Sequence, residues 1–559
     1  MSTATLSFSP GSIWNAFRRS RREYKIAFAA IVILLAAALV YPVAAVLGQS
    51  FLTDSGAFTL THWTDMLARP AFREMVARSF WVSGLAALGS TVLAFLSAYG
   101  LVFTNIPGRL KRVVQIVLLL PLFLPSITYG FAVIYSFGRM GLVSQLIGAL
   151  PFSIYGFWGL LITNILYTLP PAFLVMMSAF MYVDRRFVIV SRVMGDKPLR
   201  TFYMTAVRPT LGASLSAFVL AFFLAFTDFG IPVSIAGQYT VIATELYSTM
   251  MGAIPNFGEG AVIAISMLVP SAAAVILLKR ADRLNFRYNR ISTEPPMKNR
   301  VRDAGFLVFF AAIALLMLSV FLVIFIVPFV ESWPYQPWPT MRHVKEIFTD
   351  GSILPLYLRS VGVALASAAI GTAVAFAAAM IRARSNMPGW CRTAMDGFAM
   401  LTSTLPGMVL GVGFLFAFSG TFLQNTIWIL ILANLVHFLS TPYIMATTAL
   451  SKMNASWETT GILMGDSWFK SVRRIVVPNA RATLVEMFQT YFVNSMVTIS
   501  AIVFLAGSRT MVLTTRIKEL QYYERFDAIF VLSVLIFLTN VVAKVVLDRL
   551  AKTKSKKGD

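Results

Sequence analysis

Polar side chains that interrupt long apolar runs are the first candidates for chemistry in this sequence of 559 residues. Asp228 follows the apolar stretch 211–227, Asn164 and Asn434 lie inside two others, and His437 stands one helical turn beyond Asn434. Such groups are costly in a hydrocarbon environment, and where they occur they commonly line a transport pathway. We therefore predict these four as pathway residues, with hydrogen bonding between helices as the alternative role of each.

Residue types that carry catalysis or bind metals lack the spacing that those roles require. Cys391 is the only cysteine, and the three histidines, His62, His343 and His437, are far apart in the sequence. No nucleophile–base pair or carboxylate pair stands out, and no G-x-x-x-x-G-K-[ST] phosphate-binding loop is present. The sequence therefore predicts no catalytic residue, no metal site and no cofactor, and it indicates that the chain is not an enzyme.

The elements that must position the polar residues are membrane-spanning helices. The chain is 58% hydrophobic and only 13% charged, with a mean hydropathy of +0.75, whereas a soluble protein carries about 25% charged residues. An apolar run of about 20 residues crosses the hydrocarbon core as a helix, which satisfies its own backbone hydrogen bonds. The twelve predicted spans are 26–49, 79–103, 113–137, 157–180, 211–236, 260–279, 304–330, 360–382, 394–419, 426–450, 482–506 and 527–547.

The distribution of Lys and Arg sets the predicted orientation and explains the net charge of +23. Most of these residues fall at the two termini and in the loops that share their side, and cytoplasmic segments carry the excess of basic residues. We therefore predict a multi-pass membrane protein with both termini in the cytoplasm. The basic charge faces membrane lipid rather than nucleic acid, because no soluble basic domain is present.

Landmark residues recur at constant offsets and indicate an internal duplication. His62 and His343 are 281 positions apart, as are Gly130 and Gly411, while Gly195 and Gly465 are 270 apart. Each copy holds an even number of spans, so both copies insert the same way up. The predicted organisation is a first repeat of six helices (1–280), a cytoplasmic linker (281–303) and a second repeat of six helices (304–559).

The two long loops on the predicted cytoplasmic side share one pattern. Each has Gly-Asp, a stretch of mixed basic and apolar residues, and then a proline before the next span. This pattern predicts a glycine break followed by a short amphipathic helix along the membrane surface, a shape that fits a groove in a partner. The predicted docking residues are Gly195, Asp196, Arg200, Pro209, Gly465, Asp466, Lys470, Arg473 and Pro478.

These loops resemble the EAA loop of bacterial ABC importer permeases, in which E-A-A, three residues, Gly and nine residues precede Ile-x-Leu-Pro. Gly465, Ile475 and Pro478 fall at the family spacing, whereas the first loop has Thr205 for Ile and its proline one residue late. Neither loop keeps the letters E-A-A. The resemblance implies the type I importer (MetI-like) fold, two copies of a separate ATP-binding cassette ATPase, and a periplasmic or extracellular substrate-binding protein.

The resemblance covers nearly the whole chain and is to fused permeases of the iron(III), phosphonate and polyamine group. Residues 155–173 and 226–262 are similar to 2-aminoethylphosphonate permeases, although iron(III) permeases also carry Asp-Phe-Gly near Asp228. The resemblance thus implies a phosphonate as substrate, with iron(III) or a polyamine as the alternative. A secondary transporter is the rival class; it would leave the duplicated loops unexplained.

Overall fold

Long apolar helices make up most of the protein. The computed structural model describes residues 22–552 apart from 54, 149, 284–295, 350 and 455. Most of the predicted linker therefore lies outside the described residues. Nine helices of the described part are long and apolar enough to cross a membrane, and two bent helix pairs raise that number to eleven.

The helices are numbered here along the chain. The first thirteen are α1 (Arg22–Gln49, with a π-helical turn at Ala36–Val40), α2 (Thr61–Ala68), α3 (Pro70–Phe103), α4 (Gly108–Leu119), α5 (Ser126–Phe137), α6 (Leu142–Ile147), α7 (Phe157–Tyr182), α8 (Arg186–Val193), α9 (Pro198–Phe202), α10 (Leu211–Thr227), α11 (Gly230–Ile235), α12 (Ile242–Met251) and α13 (Phe257–Arg283). The remaining helices and the two strands are α14 (Arg300–Ile326), β1 (Val330–Ser332), β2 (Gln336–Pro339), α15 (Arg342–Thr349), α16 (Ile353–Arg384), α17 (Gly389–Thr404), α18 (Gly407–Phe418), α19 (Ile427–His437), α20 (Ser440–Lys452), α21 (Ser456–Leu463), α22 (Trp468–Ser471), α23 (Arg481–Val497), α24 (Leu513–Tyr522) and α25 (Phe526–Lys552).

Prolines at equivalent positions break two of the predicted spans. Leu124 and Leu405 are extended because a residue before proline is disfavoured in the helical region. The predicted span 394–419 is therefore two helices, α17 and α18, that meet at 104°. A second pair, α19 and α20, is bent by 53° where the span 426–450 was predicted. The span 482–506 is helical only to Val497.

The chain forms two compact units. The larger unit comprises Gln49–Pro355 and Leu513–Phe537, and the smaller unit comprises Met1–Gly48, Leu356–Val512 and Leu538–Asp559. Helix α14, which opens the predicted second repeat, thus packs in the larger unit, where Ser136 Oγ donates to the Ser319 carbonyl oxygen (3.1 Å). Helix α1 packs in the smaller unit, where the Phe28 and Trp390 rings meet edge to face at 5.4 Å.

Glycines at repeat-equivalent positions let a broken helix approach its neighbour closely. A Cβ at Gly130 of α5 would overlap Ser234 Oγ, and a Cβ at Gly411 of α18 would meet the Ala501 carbonyl oxygen at 3.0 Å. In the larger unit this neighbour lies in the segment after α10, and in the smaller unit it lies in the segment after α23. The same local packing therefore occurs in each repeat, which agrees with the constant offsets in the sequence.

The two histidines at offset 281 hold equivalent turns of the larger unit. His62 Nε2 lies 3.2 Å from the Leu52 carbonyl oxygen, beside an isolated antiparallel bridge. His343 Nε2 lies 3.0 Å from the Val330 carbonyl oxygen, beside the β1–β2 hairpin. A hydrogen bond between a ring nitrogen and a backbone carbonyl indicates a structural role. These histidines therefore stabilise the bridge and the hairpin near the start of the two predicted repeats.

Candidate docking loops and pathway residues

The two predicted docking loops contain the same helix-ending turn. Gly195 and Gly465 both have φ of +79°, the left-handed region that glycine enters without steric cost. The backbone N–H of Asp196 donates to the Ser191 carbonyl oxygen (3.1 Å), and Asp466 makes the equivalent bond in the second loop (2.9 Å). This bond, from the third residue beyond the helix to the helix's third-last residue, defines a Schellman end. The sequence was thus sufficient to locate both breaks.

The aspartate after each glycine is paired within its own loop. Asp196 Oδ1 lies 3.1 Å from Arg200 Nε, and its other oxygen accepts a hydrogen bond from Ser191 Oγ (2.7 Å). Asp466 forms the equivalent ion pair with Lys470, four residues on. Exposed pairs of this kind contribute only about 0–1 kcal/mol. Their geometric effect is to hold the turn, and both basic residues are then partly neutralised by their own loops.

The prolines of the two loops lie just before the next helix rather than within its first turn. Pro209 belongs to a 3₁₀ turn that precedes α10, and Pro478 belongs to a short helical turn that precedes α23. Each proline follows a π-helical turn, at Tyr203–Val207 and Val472–Val476. Arg473 lies in the second π-helical turn and is exposed.

Apolar side chains at the outer end of each loop are a feature that the sequence interpretation missed. Three positions in each loop are occupied by large apolar residues that are between 68% and 83% exposed. Each of these positions recurs at the offset of 270, a signal that could have identified them. We name these the tip residues: Val193, Met194 and Leu199 in the first loop, and Leu463, Met464 and Phe469 in the second.

Asp228 has hydrogen-bond partners that give it a structural role. It is the first residue after α10, it is buried, and its Oδ2 accepts a bond from the Ile231 backbone N–H (2.7 Å). Ser126 of α5 also bonds to the carboxylate. Thr498 stands at the equivalent position after α23, where its hydroxyl has the chemistry for the same task. The carboxylate therefore caps a broken helix, and its role in a pathway stays a prediction.

The other three predicted pathway residues have polar atoms without partners. Both amide atoms of Asn434, Oδ1 of Asn164 and Nδ1 of His437 are buried and form no hydrogen bond within the described residues. Asn434 is fully buried in α19, and His437 is the last residue of the same helix, with its ring 4.6 Å from that of Phe438. A buried polar group without a partner is unfavourable and calls for an explanation such as an unseen ligand or water.

Side chains that could bind a metal are dispersed in the part of the chain that the structure describes. No cluster of three or more His, Cys, Asp or Glu side chains there has the geometry to hold a metal ion. The two exposed loops and the buried amides are the candidate functional features, and their roles in docking and in a pathway stay predictions.

The helices long enough to cross a membrane and the family comparison point to a membrane component of a transport system. Residues 371–556 match the family described as the binding-protein-dependent transport system inner membrane component. The match covers about a third of the chain and lies within the predicted second repeat, which is therefore similar to a permease domain.

Individual relatives cover much more of the chain than the family match does. The chain is 24% identical to the ferric transport system permease protein FbpB of Actinobacillus pleuropneumoniae, over 95% of this chain and 80% of that protein. A Haemophilus influenzae protein whose name also assigns it to ferric transport, FbpB 1, is 25% identical over 86% of this chain and 78% of its own length.

A third relative matches only part of this chain. The molybdenum transport system permease protein ModB of Mycobacterium tuberculosis is 27% identical, over 34% of this chain but 74% of its own length. Most of that permease therefore aligns with about a third of this chain, which agrees with a chain that contains two copies of one permease unit.

Proposed function

We propose that the chain is the transmembrane subunit of an ATP-driven importer in the bacterial inner membrane, with both termini in the cytoplasm. The observation that carries this proposal is the duplicated loop, which has the same left-handed glycine, the same paired aspartate and the same three exposed tip residues in each repeat. Exposed apolar side chains on a rigid turn are suited to a hydrophobic groove in a partner protein.

Two copies of an ATP-binding cassette ATPase are the proposed partners of these loops. Each repeat offers one loop, so each ATPase seats one set of tip residues. The exposed Arg473 lies in the second loop and meets acidic groups on the ATPase surface. A substrate-binding protein on the opposite side of the membrane delivers the solute, as the name of the matching family indicates.

Iron(III) is the substrate that the relatives favour. The chain aligns over most of its length with two proteins named for ferric transport, and these names support the iron alternative better than the 2-aminoethylphosphonate that the sequence interpretation preferred. The phosphonate interpretation finds no support in the names of the relatives. We therefore propose iron(III), delivered by its binding protein, as the solute.

Reconstitution of the chain with its ATPase and binding protein would test class and substrate together. ATP hydrolysis in proteoliposomes would be compared with iron(III), 2-aminoethylphosphonate and putrescine. We expect stimulation by iron(III) alone. Stimulation by 2-aminoethylphosphonate alone would restore the phosphonate interpretation, and uptake driven by a proton gradient without the ATPase would replace an importer with a secondary transporter.

A further inference from the structure

Two helices at equivalent positions of the predicted repeats contact each other within the larger unit. Helix α12 precedes the last predicted span of the first repeat, and α24 precedes the last predicted span of the second. At the offset of 270, Lys518 of α24 corresponds to Ser248, the residue after Tyr247 in α12. Lys518 Nζ lies 5.2 Å from the centroid of the Tyr247 ring. The contact therefore joins nearly the same point of the two equivalent helices.

The place of this contact relates it to the solute pathway. Equivalent residues of two related units meet where the units face each other across the axis that relates them. A pathway is expected along such an interface between repeats. Both helices lie in segments, 237–259 and 507–526, that the predicted topology puts on the side opposite the docking loops. The contact therefore lies at the expected outer end of the pathway.

The chemistry of the contact is the attraction of a cation to the face of an aromatic ring, which becomes stronger where water is excluded. Lys518 and Tyr247 are both half-buried, and burial lowers the pKa of the Lys518 ammonium. The Tyr247 ring also packs at 4.9 Å from the ring of the fully buried Phe229. Phe229 follows Asp228, the residue that caps α10. The contact is therefore connected to the end of a broken helix of the first repeat.

A second contact joins α24 to the first repeat. Gln521 Nε2 donates to the Val233 carbonyl oxygen of α11 (2.5 Å). The Oε1 atom of Gln521 is buried and has no hydrogen-bond partner within the described residues. A half-satisfied amide is unfavourable compared with a position in which both of its atoms are paired. This property suits a contact that separates during a transport cycle.

We propose that Lys518 and Tyr247 form a latch that holds the outer end of the solute pathway closed. The pathway opens when α24 moves away from α11 and α12. At the equivalent positions the first repeat has Ser248 and the second has Ile517, so two copies of either repeat would lack one partner of the latch. The role in transport rests on the proposed importer function, whereas the effect of the latch on the position of α24 does not.

Opening of the latch can be measured on the purified full chain without an ATPase. Ile517 of α24 is fully buried, so a cysteine at this position reacts with a charged maleimide only when α24 moves. The reporter chain carries Ile517→Cys together with Cys391→Ser, which removes the only native cysteine. At low maleimide concentration the labelling rate in lipid nanodiscs follows the open population, because labelling is slow compared with reclosing.

Substitutions in the reporter chain test the cation and the ring separately. Lys518→Met and Tyr247→Leu each remove one partner and should raise the labelling rate by about fivefold or more. Lys518→Arg and Tyr247→Phe keep a cation and a ring face, and each should change the rate by less than about twofold. Lys345→Met, an equal loss of charge at an exposed site of α15 on the same predicted side, is the matched control and should leave the rate unchanged.

The double variant distinguishes a direct contact from general loosening of the helix. If the two side chains act on each other, Lys518→Met with Tyr247→Leu should label little faster than either single variant, whereas independent effects would multiply. Thermal unfolding confirms that each chain is folded. Multiplied effects, an equal rise in Lys345→Met, or equal labelling of wild type and both single variants would overturn the latch.

A covalent bond between the same segments tests whether the latch closes the pathway. Val233→Cys with Gln521→Cys, in the Cys391→Ser chain, joins α11 to α24 by a disulfide that copper phenanthroline forms and dithiothreitol reduces. In proteoliposomes with the ATPase and the binding protein, the disulfide should abolish uptake, and its reduction should restore uptake. Normal uptake with the disulfide intact would refute the closing role and leave the importer function standing. If the reduced chain shows no ATP-driven uptake, the importer function is wrong, and the labelling rates still decide whether the latch exists.

Discussion

Substitution of the glycine in each docking loop isolates the contribution of the backbone to docking. Gly195 and Gly465 both have φ of +79°, and a Cβ built at either position meets nothing within 4 Å. A new side chain therefore causes no clash, and its cost is the backbone conformation alone. We consider the series Gly465→Asn, Gly465→Ala and Gly465→Val, with the same changes at Gly195.

The magnitude follows from the left-handed conformation. An alanine in this region costs roughly 1–2 kcal/mol, a β-branched valine costs more, and asparagine costs less because its short polar side chain is tolerated there. If docking requires the bent loop, the alanine cost lowers the affinity for the ATPase by about 5- to 30-fold, since about 1.4 kcal/mol is a factor of ten. The expected order of affinity is glycine, asparagine, alanine and valine.

Titration of the purified ATPase against the chain in lipid nanodiscs gives these affinities, and uptake in cells gives the functional result. Gly389→Ala is the matched control, because its Cβ also meets nothing within 4 Å and its φ is negative. Thermal unfolding of each chain shows whether the membrane helices are intact. Gly465→Asp with Gly195→Asp extends the series and should uncouple ATP hydrolysis or release the ATPase.

Two results would refute this reasoning. If the double valine variant bound the ATPase as tightly as wild type and transported normally, these loops would not be the docking elements. If asparagine lost as much affinity as valine, the effect would come from the side chain and not from the left-handed backbone.

Three further predictions concern the membrane helices. Gly371→Ala should lower the free energy of unfolding by about 1–3 kcal/mol, because its Cβ would lie 2.5 Å from a buried tyrosine ring. Gly362→Ala, in the same helix, is the control: its Cβ meets open space, so the same thermal unfolding assay should show no loss of stability. Asp228→Asn should retain the helix cap and the fold, whereas Asp228→Ala should lower the free energy of unfolding by about 1–3 kcal/mol. Full uptake by the asparagine variant would show that the residue has only a structural role. Asn434→Leu removes a buried amide that lacks a hydrogen-bond partner, so the variant should be at least as stable as wild type. Its uptake should fall if Asn434 lines the pathway, and unchanged uptake would show that it does not.

The exposed tips and the partners of the polar residues were beyond what the sequence could predict. The pattern of Gly-Asp and proline located both loops because a left-handed glycine and a following proline are requirements of local backbone geometry. It gave no information on which side chains end up at the surface. Asp228 is predicted to border a pathway, and that role stays a prediction. The fold brings Ser126 to its carboxylate, a contact that depends on packing between segments far apart in the chain.

The sequence by itself determined the class of protein, the duplication and the places where the backbone turns. These properties depend on apolar run length, on constant offsets and on glycine and proline, which act locally. Only the tertiary structure decided that α14 packs in the larger unit and α1 in the smaller one, and that α17 and α18 meet at 104°. Such choices depend on side-chain contacts between segments far apart in the chain, such as Ser136 with Ser319, which apolar periodicity does not encode.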